Sequence, residues 1–132
     1  MKFYDTHGRE HKIDIRPSRW RRKGMGKSRS KFQANVGEIL AERFPYCHIL
    51  EEFPCLGEGL YLDFFIPIKK LAIEVQGQQH LKFNPFFHKT IADFRTQQLN
   101  DKRKEEWCAA NEIRLIKIHW GEKKENIEKA LA

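Results

Sequence analysis

The sequence predicts an α/β domain with a mixed central β-sheet flanked by helices. Three short apolar segments follow one another between residues 48 and 76, at the length and spacing of neighbouring strands. A segment with helical periodicity precedes them, and a helical segment, a last strand and a last helix follow. The order helix, three strands, helix, strand, helix is typical of this fold class.

The N-terminal residues 1–15 predict a small β-hairpin, with Gly8 in the turn and Ile13 and Ile15 alternating after it. The basic stretch that follows contains Pro, Gly and Ser and predicts an arm. We therefore divide the chain into a hairpin and basic arm over residues 1–30 and a core over residues 31–132.

The first helix is predicted to begin at a capping box formed by Ser30 and Gln33 and to stop before Pro45. Its apolar stripe is Phe32, Val36, Ile39, Leu40 and Phe44. The other predicted elements are strands over 48–55, 59–67, 70–77 and 113–120, and helices over 86–110 and 123–132. Asn111 is expected to adopt the left-handed conformation that often stops a helix.

The composition is that of one globular domain, with 132 residues of which 40% are hydrophobic and 33% charged. No apolar run is long enough to cross a membrane, and the charged N-terminus has no signal-peptide core, so we expect a cytoplasmic protein without membrane contact. The three cysteines lack CxxC spacing and are interpreted as reduced thiols. A zinc site of Cys47, His48 and Cys55 is the alternative.

Positive charge is concentrated near the N-terminus. Residues 1–30 carry the whole excess of +7, and the segment from Arg16 to Lys31 holds eight cations and no acid. A solubilising tail is the simpler interpretation, but an arm that follows a polyanion has the same composition, and Trp20 can stack on a base or sugar. We predict nucleic-acid contacts from Arg16, Arg19, Trp20, Arg21, Arg22, Lys23, Lys27, Arg29 and Lys31.

Two acids interrupt apolar strands at facing positions. If the strands turn symmetrically between Ile68 and Lys69, Asp63 lies opposite Glu74 with about 5 Å between their Cβ atoms. Gln76 projects from the same face. Buried carboxylates this close repel each other unless a cation lies between them, and Mg²⁺ is commonly held by one or two carboxylates, phosphate oxygens and water. The pair predicts a Mg²⁺ (or Mn²⁺) site, and a network with lysines or backbone amides is the structural alternative.

The segment YLDFFIP…KLAIEVQGQQH resembles the core of PD-(D/E)XK nucleases, in which an Asp ends one strand and Glu-x-Lys lies on the next. Gln76 occupies the Lys position. The following Gly77 and His80, with NDKRKEEWCAANEIRLIKI, resemble the very-short-patch-repair branch, which includes mismatch-nicking and phage-encoded free-standing homing endonucleases. The resemblance covers residues 30–120. It implies a restriction-endonuclease-like core, double-stranded DNA as substrate, Mg²⁺ as cofactor, and a prokaryotic or phage-infected host cell.

The resemblance also implies roles for individual residues. Asp63 and Glu74 would hold the metal ion, and Gln76 would orient the attacking water or the scissile phosphate. His80 would transfer a proton or contact a metal-bound water. Asp101 would orient that histidine or the metal-bound waters.

In the same branch a helix Glu completes the site, and the matching position here is Gln33. Glu38 is the nearest acid, but a helical wheel turns it away from the apolar stripe. Lys104, one helical turn beyond Asp101, would contact a phosphate. His88 is the one other histidine near enough in sequence to compete with His80.

The predicted function is therefore that of a metal-dependent DNA endonuclease of the homing or mismatch type. A Holliday-junction resolvase is the alternative within the same fold, and a non-catalytic nucleic-acid-binding protein is the alternative from another class. One active site cuts one strand, so double-strand cleavage would need a homodimer or a second encounter. The Phe-rich segment 83–88 is interpreted as core, with a dimer contact or a wedge between bases as alternatives.

Overall fold

The computed structural model describes residues 1–77 and 90–132. The predicted N-terminal hairpin is present, with β1 (Lys2–Tyr4) antiparallel to β2 (Glu10–Lys12) and Gly8 at a φ of 80° in the turn. Helix α1 spans Lys31–Arg43, α2 spans Ile91–Ala110 and α3 spans Lys124–Ala130.

A four-stranded mixed sheet forms the centre of the protein, which confirms the predicted α/β class. Its strands are β3 (Leu50–Cys55), β4 (Leu60–Ile66), β5 (Leu71–Gln76) and β6 (Arg114–His119), and their order in the sheet is β3-β4-β5-β6. The first three strands are antiparallel, and β6 runs parallel to β5. A parallel neighbour needs a long crossover, and α2 lies in that connection.

Helix α1 begins and ends as predicted. The Ser30 hydroxyl accepts a 3.0 Å hydrogen bond from the Gln33 N–H and caps the first turn. The helix ends at Arg43, two residues before Pro45, where the fixed φ and missing N–H of proline prevent continuation. Packing against the sheet is close, because a Cβ added at Gly37 would lie 3.2 Å from Cζ of Phe64.

The predicted register of β4 and β5 is confirmed. Phe64 pairs with Ile73, Phe65 with Ala72, and Ile66 with Leu71. The regular pairs end at Phe64, one residue before Asp63, and Asp63 and Glu74 line one cleft together with residues of α2. The two acids therefore lie on the same side of the sheet.

The two faces of the sheet are buried by different kinds of side chain. Against α1 and α3 lies a cluster that is mostly aliphatic: Val36, Ile39, Leu40, Ile66, Leu71, Ile73, Ile116, Ile118, Ile127 and Leu131, with Phe44 and Phe64. Against α2 and the hairpin lies a cluster rich in aromatic rings, where Phe3 stacks on Trp107 at 5.4 Å between centroids. The hairpin thus shares a core with the sheet.

The expectation for Asn111 is wrong. Asn111 has a φ of −107°, and the left-handed residue is Glu112, at a φ of 55°. The Asn111 side chain binds the hairpin instead, because its Oδ1 accepts from the Tyr4 N–H at 2.7 Å and its Nδ2 donates to the Tyr4 carbonyl at 2.8 Å. Asn111 therefore makes a long-range pair of hydrogen bonds and does not adopt the left-handed conformation that its local propensity had suggested.

Among the described residues, none of the helices combines the length and the apolar character needed to cross a bilayer.

Candidate active site and nucleic-acid interface

The two predicted acids lie together at an open cleft of about 400 Å³ between the sheet and α2. Asp63 and Glu74 line it from β4 and β5, and Asp101 and Lys104 line it from α2. Arg29 reaches it from the basic arm. Residues separated by up to 75 positions in the sequence thus meet at one edge of the sheet.

Asp63 is fixed in place by the backbone of the next strand. The regular pairing of β4 with β5 ends at Phe64, and the Oδ2 of Asp63 accepts the Val75 N–H at 2.7 Å. On the other side Glu52, at a φ of 56°, interrupts the pairing of β3 with β4 opposite Asp63. One carboxylate oxygen therefore replaces a strand-to-strand hydrogen bond, and the other, Oδ1, lies 3.4 Å from Nη1 of Arg29.

Glu74 is a buried acid with incomplete hydrogen bonding. It is 5% exposed, and Nζ of Lys104 lies 3.0 Å from its Oε1. The direction of this contact does not make a hydrogen bond, so within the described residues Oε1 is a buried acceptor without a donor. Burial raises the pKa of Glu74 well above its usual range, and the adjacent Asp63 carboxyl raises it further.

Lys104 supplies positive charge to the two acids. Burial by itself would lower the pKa of its ammonium group, but the Glu74 and Asp63 carboxyls outweigh this and hold the pKa above its usual value. Its side chain is 15% exposed, so the charge is held inside the cleft rather than in bulk solvent. The position on α2 explains why a lysine is near Glu74 although β5 itself carries Gln76.

The other predicted members of the site lie in three different settings. Gln76 is buried at the end of β5, on the face of Glu74. Asp101 is half-buried on α2, one turn before Lys104. His80 and His88 lie outside the described residues, as does the Phe-rich segment 83–88.

Neither candidate for the helix acid contacts the carboxylate pair. Gln33 is buried and donates through Nε2 to Glu51 at 3.1 Å. Glu38 is exposed, and its Oε1 lies 3.1 Å from Nη1 of Arg22. Gln33 therefore supports β3 rather than the cleft, and Glu38 binds the arm.

Glu51 is a buried acid with several hydrogen-bond donors that the sequence analysis did not identify. This carboxylate is 2% exposed and accepts from the Lys23 N–H at 2.8 Å and the Ser28 hydroxyl at 2.8 Å, in addition to the Gln33 amide. A buried acid needs such donors to remain ionised without a large cost. Glu51 thus anchors both ends of residues 23–28. The sequence did contain a signal, because Glu51 and Glu52 interrupt an apolar strand. That signal did not identify the groups that donate hydrogen bonds to Glu51.

The basic arm is attached to the core rather than free. Trp20 packs edge-to-face on Phe53 with 5.0 Å between ring centroids, so its ring belongs to the α2-side cluster and offers less surface to a base than predicted. Lys23 pairs with Glu52, and Arg16 lies 3.3 Å from Asp14. Within the described residues, the arm cations without an acidic partner are Arg19, Arg21, Lys27 and Lys31, all exposed.

The zinc alternative does not fit the described residues. Cys47 packs against the α1-side cluster, whereas Cys55 is buried in the α2-side cluster. Burial is the main cause that raises the pKa of the Cys108 thiol to about 12, and it raises the pKa of Cys55 as well. Such thiols are poor metal ligands and nucleophiles because they stay protonated.

The donors at the cleft are compatible with a hard divalent cation. In the described part of the chain there is no group of three His, Cys, Asp or Glu side chains arranged to hold a metal ion. Mg²⁺, however, needs only one or two carboxylates when a phosphate and water complete its shell. Asp63 and Glu74 supply these, and at Oε1 of Glu74 the ion would compete with the Lys104 ammonium, which lies 3.0 Å away without making a hydrogen bond.

Comparison with known proteins gives relatives that match slightly less than half of the chain. Protein 307L of Invertebrate iridescent virus 6 is 42% identical over 60 residues, which are 46% of this chain and 30% of the relative. Protein 033L of Invertebrate iridescent virus 3 is 37% identical over 65 residues, 49% of this chain and 34% of the relative. Both carry the description "uncharacterized". The chain spans about a third of the length of these curated relatives. No family model and no solved structure matches the sequence.

Proposed function

We propose that the protein is a metal-dependent DNA endonuclease that hydrolyses phosphodiester bonds on a restriction-endonuclease-like core. The observation that carries the proposal is the meeting of Asp63 and Glu74 at an open cleft, where the regular pairing of two neighbouring strands ends. Two buried carboxyls beside each other destabilise a fold unless cations or a ligand compensate their charge, and such strained acids are common at functional sites. The cations Lys104 and Arg29 beside them add groups that can bind a phosphate.

Hydrolysis joins a water oxygen to phosphorus, breaks the bond from phosphorus to the leaving sugar oxygen, and moves a proton from the water side to that oxygen. A Mg²⁺ ion held by Asp63 and Glu74 would supply a more acidic water and would polarise the phosphoryl oxygen. Lys104 keeps its proton next to these acids and places a positive charge where the phosphate would become more negative. Arg29, whose side chain is 65% exposed, can turn from Asp63 to a phosphate oxygen.

The direct test is cleavage of supercoiled plasmid in Mg²⁺, Mn²⁺ or EDTA by the wild type, Asp63→Asn and Glu74→Gln. Both substitutions keep the side-chain shape, and Asp63→Asn keeps an acceptor for the Val75 N–H. We expect divalent-dependent nicking that falls at least 100-fold in each variant. Glu128→Gln is the matched control, because it removes one carboxylate from an exposed position on α3. Equal nicking by all four proteins would exclude this active site.

The arm is proposed to follow the DNA backbone through its unpaired cations. Replacing Arg21, Lys27 and Lys31 by Gln should weaken binding to all duplex sequences alike. The slope of log affinity against log salt should flatten by about one for each phosphate that the variant no longer binds. The control is Lys124→Gln, since Lys124 is engaged by Glu42 at 3.0 Å on another surface. An unchanged slope in the triple variant would show that the segment only solubilises the protein.

A second candidate function is nucleic-acid binding without catalysis. It is favoured by the ion pairs at the cleft, because Lys104 and Arg29 already neutralise the two acids. A protein of this kind would bind duplex or four-way-junction DNA equally well in Mg²⁺ and EDTA and would cut neither. Binding measured by fluorescence anisotropy beside the plasmid assay separates the two functions.

A further inference from the structure

His119 lies at the same edge of the sheet as the acid pair. In the parallel register of β5 and β6, Glu74 is beside Lys117 and Gln76 is beside His119. Register partners on neighbouring strands project from the same face of a sheet. His119 therefore shares the face of Glu74 and Gln76.

The identity of that face is supported by the packing of the same two strands. Ala72 and its register partner Leu115 both belong to the α2-side cluster. Lys117, which alternates with them along β6, forms an ion pair with Glu105 of α2. His119 is two residues beyond Lys117 and thus continues the row that faces α2.

His119 combines a fixed backbone with an available side chain. The next residue, Trp120, donates its N–H to the Gln76 carbonyl at 2.7 Å, which ties the end of β6 to the end of β5. His119 is exposed, and its imidazole has no hydrogen bond or ion pair with any described residue. Neighbouring strands are about 4.8 Å apart and residues two apart on a strand about 6.6 Å, so the Cα of His119 lies roughly 8 Å from that of Glu74.

We propose that His119 is a substrate-contacting residue, whose ring N–H donates a hydrogen bond to a backbone phosphate of the DNA strand beside the acid pair. The inference rests on the proposed nuclease function and adds a binding position to it. An imidazole carries an N–H donor in its neutral as well as its charged form. The sequence pattern did not indicate it, because His119 is 45 positions from Glu74 and becomes its neighbour only through the parallel crossover.

The kinetic test compares His119→Ala, His119→Gln and His7→Gln on a duplex substrate in Mg²⁺. We expect His119→Ala to lower kcat/KM about tenfold or more, as for the loss of a hydrogen bond to a charged group. His119→Gln keeps an N–H donor and should recover part of the loss. His7→Gln, in the turn of the hairpin, should match the wild type. The inference is wrong if kcat/KM of His119→Ala stays within twofold of the wild-type value. It is also wrong if His119→Gln recovers none of the lost kcat/KM.

A binding test separates this inference from the proposed function. The ring signals of the histidines are followed by NMR while a duplex is added in EDTA, with the His119 signal assigned through His119→Gln. We expect the His119 ring to shift and the His7 ring to stay unchanged. If the wild type binds DNA without cutting it, the proposed nuclease function is wrong. The proposed contact of His119 with DNA is then supported if the His119 ring signal shifts, and it is wrong if the signal does not shift.

Discussion

The two faces of the sheet differ in what they bury. The face under α1 and α3 is covered by a largely aliphatic cluster, and the buried acid Glu51 accepts a hydrogen bond from Gln33 of α1 beside it. The face under α2 and the hairpin buries aromatic rings together with ionisable groups: Asp5, Glu58, Asp63, Glu74 and Lys104. One sheet thus provides a mainly aliphatic face whose packing stabilises the fold and a face where several charges are held in fixed positions.

The comparison shows how a small domain can tolerate a site that is unfavourable by itself. The acids of the α2 side are matched by donors, as where Glu58 accepts from the Thr6 N–H at 2.7 Å and from Arg103 at 3.0 Å. Glu74 is the exception, because its Oε1 lacks a hydrogen bond within the described residues. A structural acid would be expected to look like Glu58, whereas a ligand-binding acid is expected to look like Glu74.

The largest effect on stability is expected from a substitution in the core between the sheet and α1. Phe64→Ala should lower the free energy of unfolding by about 3–5 kcal/mol, because Phe64 is fully buried between the sheet and α1 and its removal leaves a cavity. Urea titration followed by circular dichroism measures this loss. A loss below about 1 kcal/mol would show that the α1 side does not carry the stability of the sheet.

Removal of the cation from the cleft should have the next largest effect. Lys104→Met leaves Glu74 and Asp63 without their nearest ammonium and should cost about 3 kcal/mol in EDTA. Addition of Mg²⁺ should then raise the thermal midpoint more in Lys104→Met than in the wild type, since the ion no longer competes with the lysine. An equal Mg²⁺ response in the two proteins would contradict a shared position for the lysine and the ion.

Removal of the Glu74 carboxylate should change the stability in the opposite direction. Because the pKa of Glu74 is raised on folding, its charged form costs stability at any pH above its ordinary pKa. Glu74→Gln should therefore stabilise the protein by about 1 kcal/mol at pH 8 while it abolishes cleavage. At pH 4 the gain should vanish, because the carboxyl is protonated in both states. Urea midpoints at the two pH values test this, and a destabilised Glu74→Gln at pH 8 would argue for a structural acid.

The smallest effect is expected from the hairpin at acid pH. A hydrogen bond from His11, with another from the Arg9 N–H, lowers the pKa of Asp5 to about 2. The stability that Asp5 contributes is present above its ordinary pKa of 3.8 and is lost as the pH falls towards 2. Asp5→Asn should lose less stability than the wild type between pH 5 and pH 2.5. Identical losses would exclude Asp5 from the acid transition.

Much of the fold was predictable from local sequence signals. The proximity of the acid pair was predictable from these signals together with the register of two strands. The capping box at Ser30 and the stop before Pro45 are local, so α1 was predictable at both ends. A short symmetric turn fixes the register of β4 and β5, so the proximity of Asp63 and Glu74 was predictable as well.

Contacts between distant segments were not predictable in the same way. Asn111 binds Tyr4 across 107 positions, and Lys104 reaches Glu74 from a helix whose rotation no pattern on β5 specifies. The donors that surround Glu51 come from an arm whose composition indicated only a polyanion partner. Such partners depend on how elements pack, which periodicity does not encode.

The hydrogen bond from the Val75 N–H to Asp63 has a consequence for ligand affinity. Because one oxygen of this carboxylate is tied to the main chain of β5, the side chain loses its rotational freedom when the protein folds rather than when a ligand arrives. Binding through the other oxygen then carries a smaller entropic penalty than binding by a freely rotating aspartate. The same tie means that Asp63→Ala would leave the Val75 amide without its acceptor, so loss of activity in that variant would mix a ligand effect with a backbone effect.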